Sequence, residues 1–451
     1  MVRFLKTKRV SFDFSIDFFY FGSISSFSRG KDSRGTKGGH WTERSEGSGW
    51  SDSGTPDSLF FAKQKATLKI RPVKARFAQD LDSLVLRGCT TPSIKIQNST
   101  FVLLIIFFEG HMGKKNLDWG NLPFGYIKTS KSYVANWKNG EWDEGKLTSN
   151  HEIKINECAG VLQYAQTVFE GLKAYTTEHG DIVTFRPDLN AERMESSCRR
   201  LEMPVFPKDR FIEAVLQTIE ANKDWVPPYG SGATLYIRPY MFGSSSVIGV
   251  KPADEYQFRI LVTPVGPYFK GGIKPIKVRI SDLDRAAPHG TGDIKAGLNY
   301  AMSLHNIVDA HNAGYAENIY LDPASHTYIE ETGGANIIFI TKDGKLVTPK
   351  SDSILPSITR RSLLVVAKDY LKMEVEERKI SKDELGDFVE CGLCGTAAVI
   401  SPIGQIDDHG KSIVYNDGKP EIGPKLKEIY DTLTGIQMGR VEAPEGWIYT
   451  I

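Results

Sequence analysis

The stretch Asp293-Ile-Lys295-Ala-Gly297-Leu-Asn-Tyr300 decides how this chain is interpreted. It places one lysine between small residues, directly before a segment with helical periodicity. Most lysines are solvated surface charges, so a surface role is the default. A lysine flanked by small residues can instead be desolvated and act as the nucleophile that forms a Schiff base. The rest of the sequence has to decide between these two roles.

Length and composition limit the possible classes of protein. The chain has 451 residues, which predicts two domains or more, and 40% hydrophobic with 25% charged residues is typical of a soluble globular protein. A net charge of +1 argues against nucleic acid or an anionic membrane as a partner. Five scattered cysteines predict a reducing compartment, and the dispersed histidines predict no metal site. We therefore expect a cytoplasmic protein, with targeting by residues 1–111 left open.

Residues 1–111 differ from the rest, being basic overall and rich in Ser and Gly between residues 23 and 58. Such a composition buries too little apolar surface to offset the entropy of ordering, which predicts disorder. Three interpretations stay open: a transit peptide, a disordered extension, or an over-extended reading frame whose true start is Met112. We favour the last.

From Met112 onward, periodicity predicts a mixed α and β chain. Helices are expected at 190–202, capped by Asn190, at 209–222, at 298–313 with Ala301, Leu304 and Val308 buried, and at 358–371. Strands are expected at 233–242, 256–264, 318–322, 327–331, 336–341 and 345–348, the last two joined at Asp343-Gly344. We predict a small α/β domain at 112–268, a connection at 269–276 and a larger domain at 277–451. Cys391 and Cys394 are expected in a loop.

Two segments predict anion sites, although no nucleotide-binding fingerprint is present. Ile354-Leu-Pro-Ser-Ile-Thr-Arg360 leads through a proline into a helix, so the backbone N–H groups of Ile358 and Thr359 would point outward at a helix start. Gly395-Thr-Ala-Ala398 predicts a tight turn with a hydroxyl and free N–H groups. Together they indicate a phosphorylated ligand that is not a nucleotide.

Residues 112–451 resemble the branched-chain amino acid aminotransferases of the class IV (fold type IV) pyridoxal-phosphate family. The resemblance is carried by runs in a specific order: Val168-Phe-Glu-Gly-Leu-Lys-Ala174, Phe185-Arg-Pro-Asp-Leu-Asn-Ala-Glu-Arg-Met194, Leu235-Tyr-Ile-Arg-Pro239, Pro264-Val-Gly-Pro-Tyr-Phe269, Lys295-Ala-Gly-Leu-Asn-Tyr300, Glu331-Thr-Gly-Gly-Ala-Asn336, Leu355-Pro-Ser-Ile-Thr-Arg360 and Gly395-Thr-Ala397. It implies a two-domain α+β fold that binds pyridoxal 5'-phosphate.

The resemblance also implies roles for individual residues. Lys295 would bond the cofactor covalently and then move a proton, Glu331 would pair with the pyridine nitrogen, and Tyr300 would bind the phenolate oxygen. The phosphate would be held by Arg193, Ile358, Thr359 and Thr396, and Leu355 would also contact the cofactor. Tyr236, Arg238 and the Ala397 N–H would orient the substrate carboxylate. The apolar substrate pocket would be walled by Phe124, Tyr164, Phe169 and Tyr268, and closed by Ile248 and Val250 from the partner of a homodimer.

The implied reaction exchanges the amino group between L-leucine, L-isoleucine or L-valine and 2-oxoglutarate. Rival interpretations are another class IV enzyme, such as a D-amino acid aminotransferase or aminodeoxychorismate lyase, and an inactive binding protein on the same fold. Mitochondrial vertebrate relatives carry a redox C-x-x-C after the phosphate turn. This chain has Ala398 and Ser401 there, so we predict no such thiol switch.

Overall fold

The computed structural model describes residues 114–266 and 273–451 of the chain. The expectations for residues 1–111, the residue Tyr268 and the first half of the predicted connection at 269–276 lie outside the described residues. Within the described ranges, the chain forms two nine-stranded sheets with helices packed against them, the predicted mixed α+β architecture. No helix in these ranges is long and apolar enough to cross a membrane.

The first sheet is antiparallel throughout and has the core order β18-β6-β5-β7-β8-β1-β2, with β3 on β1 and β4 on β7. Its strands are β1 (Ser132–Lys138), β2 (Glu141–Trp142), β3 (Lys146–Thr148), β4 (Thr167–Phe169), β5 (Leu172–Thr176), β6 (Ile182–Phe185), β7 (Thr234–Gly243), β8 (Tyr256–Val265) and β18 (Ile448–Thr450). The predicted strands at 233–242 and 256–264 are therefore confirmed within one residue. The last strand, β18, returns from the C-terminus to pair with β6.

The second sheet is mixed and has the order β11-β10-β9-β16-β15-β12-β13-β14, with β17 on β16. Its strands are β9 (Ile276–Ile280), β10 (Glu317–Leu321), β11 (Ile329–Thr332), β12 (Asn336–Thr341), β13 (Leu346–Pro349), β14 (Val375–Arg378), β15 (Phe388–Gly395), β16 (Val399–Asp408) and β17 (Lys411–Val414). The hairpin predicted at Asp343-Gly344 is confirmed, with Gly344 at φ 84°. The predicted loop at Cys391 and Cys394 is wrong, because both cysteines lie buried in β15.

Six α-helices accompany the sheets: α1 (Gly160–Tyr164), α2 (Pro187–Arg200), α3 (Lys208–Glu220), α4 (Gly297–Asn312), α5 (Ile358–Val365) and α6 (Pro424–Gln437). A π-helical turn, Val366–Tyr370, continues α5. Short 3-10 turns lie at Trp119–Asn121, Lys223–Trp225, Lys382–Asp387 and Asn416–Gly418. Helix α3, predicted at 209–222, buries Phe211, Val215 and Ile219 against the first sheet.

Two details of the helix predictions were wrong, namely the residue that caps α2 and the face that α4 buries. Helix α2 begins at Pro187, which suits the first helical position, and Asn190 lies inside it with a buried side chain rather than capping it. Helix α4 occupies the predicted range but exposes Leu304 and Val308, and buries polar side chains such as Asn306 instead. The Asn306 amide is satisfied by Ser281 Oγ and the Tyr320 hydroxyl, so the polar face can pack on the second sheet.

Candidate active site

Lys295 reaches the site from a backbone segment that is pinned on two sides, just before α4. Its N–H donates to Ser197 Oγ of α2 at 3.0 Å, and its carbonyl accepts from the N–H of Phe169 in β4 at 3.0 Å. Its Nζ donates to the Tyr300 hydroxyl at 2.8 Å and lies 4.6 Å from the centre of the Phe169 ring. Contacts with α2, β4 and α4 therefore hold the amine in a fixed position.

A cavity of about 520 Å³ surrounds this amine. Most of the predicted site residues line it: Phe124, Phe169, Arg193, Tyr236, Arg238, Lys295, Tyr300, Glu331, Leu355, Thr396 and Ala397. Residues from both sheets thus converge on one cavity whose volume suits a small ring-bearing ligand together with a substrate. Within the described ranges, no group of His, Cys, Asp and Glu side chains could hold a metal ion.

Glu331, on β11, presents a carboxylate that is fixed by three donors. Its Oε1 pairs with Arg285 at 3.0 Å and accepts from the Leu355 N–H at 2.8 Å, while Oε2 accepts from Asn336 Nδ2 at 2.6 Å. Burial raises the pKa of the Glu331 carboxyl, and the charge of Arg285 opposes that rise. The result is a rigid, buried acceptor of the kind that a protonated ring nitrogen requires.

Arg193, on α2, is held by a buried carboxylate from the first sheet. Its Nε and Nη2 donate to the two oxygens of Glu170 at 2.8 and 2.7 Å, and Nη1 donates to the Pro356 carbonyl at 3.1 Å. Asn190 donates to the same Glu170 at 2.7 Å, which explains why it lies inside the helix. This bidentate pair fixes the plane of the guanidinium at the cavity wall.

The two predicted anion segments lie at the same end of the cavity. Ser357 caps α5 by accepting from the Arg360 N–H at 3.1 Å, so the first turn of α5 presents its N–H groups there. Thr396 and Ala397 belong to the turn 396–398 between β15 and β16 and line the cavity. Ile358 and Thr359 line a small adjoining cavity behind that turn. The two sequence segments predicted to bind an anion are thus brought to one end of the cavity.

Tyr236 and Arg238 point into the cavity from β7. Arg238 Nη2 donates to the Tyr236 hydroxyl at 2.8 Å, and the guanidinium carbon lies 4.6 Å from the centre of the Phe169 ring. The Phe124 ring packs edge-on against Tyr236 at 5.5 Å between centroids. Gly171 is required beside them, because a Cβ there would lie 2.5 Å from the Tyr236 hydroxyl oxygen. Aromatic walls next to a cation suit a substrate with an apolar side chain and a carboxylate.

Three predicted substrate residues do not line this cavity. Tyr164 donates to the Ile248 carbonyl, and the two lie together on an exposed loop surface with Val250. Ile248 is 73% and Val250 is 90% exposed, which is high for aliphatic side chains. Tyr164 was predicted to form a wall of the substrate pocket, but in this chain its side chain lies beside Ile248. Tyr268 lies outside the described residues.

The sequence did not single out several residues that shape the site. Glu170, Asn190 and Arg285 orient the predicted ligands Arg193 and Glu331, and Lys173 donates to the Ala397 carbonyl at 2.9 Å. Glu170 and Lys173 lie in an otherwise apolar strand segment, where a charged residue at a buried position is itself a signal. Arg285 carried no such signal, because its partner lies 46 positions away along the chain.

Known proteins resemble this chain in sequence and in fold. The family model for "Amino-transferase class IV" matches residues 167–406. A branched-chain-amino-acid aminotransferase of Haemophilus influenzae is 52% identical over 342 residues, covering 75% of this chain and 99% of that protein. The crystal structure of the Escherichia coli branched-chain amino acid aminotransferase matches 71% of this chain and 99% of its own, with 30% identity and a TM-score of 0.61. The PLP-form of the Thermobaculum terrenum enzyme matches 72% of this chain and 99% of its own, with 25% identity and a TM-score of 0.60.

Proposed function

Because the chain belongs to the class IV aminotransferases, and among them to the branched-chain-amino-acid aminotransferases, we propose that it exchanges amino groups between branched-chain amino acids and 2-oxoglutarate. The substrates are L-leucine, L-isoleucine and L-valine, the products are the branched 2-oxo acids and L-glutamate, and the cofactor is pyridoxal 5'-phosphate. One observation carries the proposal. The Lys295 amine, the buried Glu331 carboxylate and an anion-binding end of the site all open into a single cavity.

The residues fit this cofactor by the chemistry of their donor set. When bound, the cofactor supplies an electron sink for charge that develops at the substrate Cα. Lys295 Nζ carries the proton that leaves and returns at that carbon, and Tyr300, its hydrogen-bond partner at 2.8 Å, keeps the amine in place. Glu331, which Leu355 holds through its N–H, would keep a proton on the ring nitrogen, while Arg193, Ile358, Thr359 and Thr396 would hold the phosphate.

The substrate lies on the opposite side of the cavity. Tyr236, Arg238 and the Ala397 N–H bind its carboxylate, and Phe124 and Phe169 enclose its side chain. An apolar pocket discriminates between substrates that differ by one methylene by only about 1–3 kcal/mol, so all three branched amino acids are accepted. The pocket therefore needs no separate side chain for each of the three branched amino acids.

We further infer a homodimer in which each protomer's exposed Tyr164, Ile248 and Val250 close the cavity of its partner. A second exposed apolar surface supports association: Leu304 and Val308 of α4 are 61% and 55% exposed, although their spacing is that of a buried helix face. The domain division at 269–276 and a cytoplasmic location are part of the same proposal. The free cysteines Cys158, Cys198, Cys391 and Cys394 suit a reducing compartment.

A coupled transamination assay with L-leucine, L-isoleucine, L-valine and D-alanine, each with 2-oxoglutarate, tests the proposal. Wild type should convert the three L-amino acids and leave D-alanine unchanged. Lys295→Ala should be inactive, whereas Lys411→Ala, which removes an exposed lysine on β17, should match wild type. Activity with D-alanine alone would indicate the other class IV chemistry, and absence of any turnover with added cofactor would indicate a binding protein.

A further inference from the structure

We propose that Lys173 is a positioning residue that holds the turn 396–398 in its ligand-binding shape and places a buried positive charge behind it. The inference deepens the proposed function and rests on it in one respect, namely that this turn receives the cofactor phosphate. Lys173 lies on β5, outside the set of residues that line the main cavity. It therefore acts through the turn and makes no contact with the reacting atoms.

The first argument is the burial of an unpaired charge. Lys173 is 6% exposed, and its Nζ makes one hydrogen bond, to the Ala397 carbonyl at 2.9 Å, with no carboxylate within salt-bridge distance among the described residues. A buried ammonium without a counter-charge is costly, and desolvation lowers the pKa of Lys173 to about 8. An anion bound on the far side of the turn would provide the counter-charge that the chain itself lacks.

The second argument is the position of Lys173 relative to the turn. A small cavity of about 10 Å³ is lined by Lys173, Gln437, Thr359, Gly395 and Thr396. Gly395 and Thr396 also line the main cavity, so they form the wall between the two. An ammonium has three donors, of which one is used here. Its charge thus faces the back of the groups that would bind phosphate.

The third argument is the conformation of the turn. Val399, which ends the turn, has φ 60°, a left-handed conformation that is unfavourable for a β-branched residue. Such a conformation persists only where the surroundings hold it. In the described part of the chain, the bond from Lys173 is the one hydrogen bond that reaches Thr396, Ala397 or Ala398 from outside their own hairpin. Lys173 is therefore the tether that fixes where the Thr396 hydroxyl and the Ala397 N–H point.

The test compares a ligand with phosphate and one without it. Apoprotein of wild type, Lys173→Met and Lys173→Arg is titrated with pyridoxal 5'-phosphate and with pyridoxal, and binding is followed by tryptophan fluorescence and equilibrium dialysis. Lys173→Met should raise the Kd for pyridoxal phosphate about tenfold or more while changing that for pyridoxal by less than about twofold. Lys173→Arg, which keeps the charge, should restore most of the affinity. Lys277→Met, an exposed lysine on β9, is the matched control.

The outcomes separate this inference from the proposed function. If wild type fails to bind pyridoxal phosphate, the proposed function itself is wrong. If wild type binds it and Lys173→Met binds equally well, or loses affinity for both ligands alike, the positioning role is overturned. Lys173→Gln replaces Lys173→Met should the latter not fold. If neither neutral variant folds, Lys173 is required for folding alone and the inference also fails.

Discussion

The cavity end that contains Arg193 and Glu331, here called the cofactor end, and the exposed surface of Tyr164, Ile248 and Val250, here called the rim, differ in how their side chains are held. At the cofactor end, Arg193 and Glu331 are buried, and each is fixed by charged or amide partners of the same chain. At the rim, Ile248 and Val250 are exposed aliphatic side chains on a loop. The partners that fix Arg193 and Glu331 belong to the same chain, whereas Ile248 and Val250 remain exposed in the single chain. Substitutions in the two regions test this difference.

The largest effect is expected at the buried ion pair of the cofactor end. Glu170→Gln leaves Arg193 as an uncompensated buried charge, so the free energy of unfolding should fall by about 3–5 kcal/mol. Affinity for pyridoxal phosphate should fall with it. Urea unfolding and cofactor titration measure the two. Glu195→Gln on the same helix, α2, removes an exposed pair with Arg199 and should cost no more than about 1 kcal/mol. Equal losses of unfolding free energy in Glu170→Gln and Glu195→Gln would contradict the contrast between the buried and the exposed ion pair.

The next effect concerns the ring-nitrogen carboxylate. Glu331→Gln removes the charge that would hold a proton on the ring, so kcat per folded, cofactor-bound protein should fall about 10²–10³-fold. Because the variant also leaves the buried Arg285 without its carboxylate, its free energy of unfolding should fall as well. Steady-state kinetics together with the cofactor content of the purified protein check this. Glu330→Gln is the matched control, since the neighbouring Glu330 bonds Ser351 and lines a separate cavity. A comparable kcat for the Glu331 variant and the control would remove Glu331 from the proposed chemistry.

The sequence predicted more of the residues that line the cavity than of the residues that hold them in place. Lys295 and Glu331 stand in short runs whose order is specific, and both line the cavity. Glu170 and Arg285 act through pairs that join distant segments, which no local pattern reveals. Asn190 was predicted as a helix cap because asparagine is a common cap residue. In the structure its side-chain amide donates to Glu170 instead.

The error at α4 has a different cause. Apolar spacing of Ala301, Leu304 and Val308 correctly predicted the helix but assigned those residues to the protomer's own core. The structure buries Asn299, Ser303 and Asn306 instead. Periodicity shows that a face is apolar and cannot show whether the surface it packs on belongs to the same chain.

A smaller effect is expected from the buried charge of Lys173. Its pKa of about 8 in the folded apoprotein lies below the value of 10.5 expected when unfolded. Between these pH values the unfolded chain binds the extra proton, so folding is favoured as pH rises; the gain is complete above about 10.5 and lost as pH falls through about 8. The free energy of unfolding of wild type minus that of Lys173→Met should rise across this window by at most about 1.4 kcal/mol per pH unit. A pH-independent difference would show that the pKa of Lys173 is not lowered on folding, as expected for a solvated lysine.

The smallest effect is expected at the rim. It also has the most specific signature, which is the recovery of activity when two variants are mixed. Tyr164→Ala combined with Val250→Asp should raise the KM for L-leucine about tenfold, since the pocket loses its cover but no reacting group.

If the rim serves the partner, mixing this variant with Lys295→Ala restores intact sites. Each mixed dimer then combines Lys295 of one protomer with the rim of the other. Random exchange makes about half of the dimers mixed, each with one intact site, so about a quarter of wild-type activity at low leucine should return. No recovery on mixing would place the rim residues over their own protomer's cavity, and the contrast between a self-sufficient end and a shared end would then be wrong.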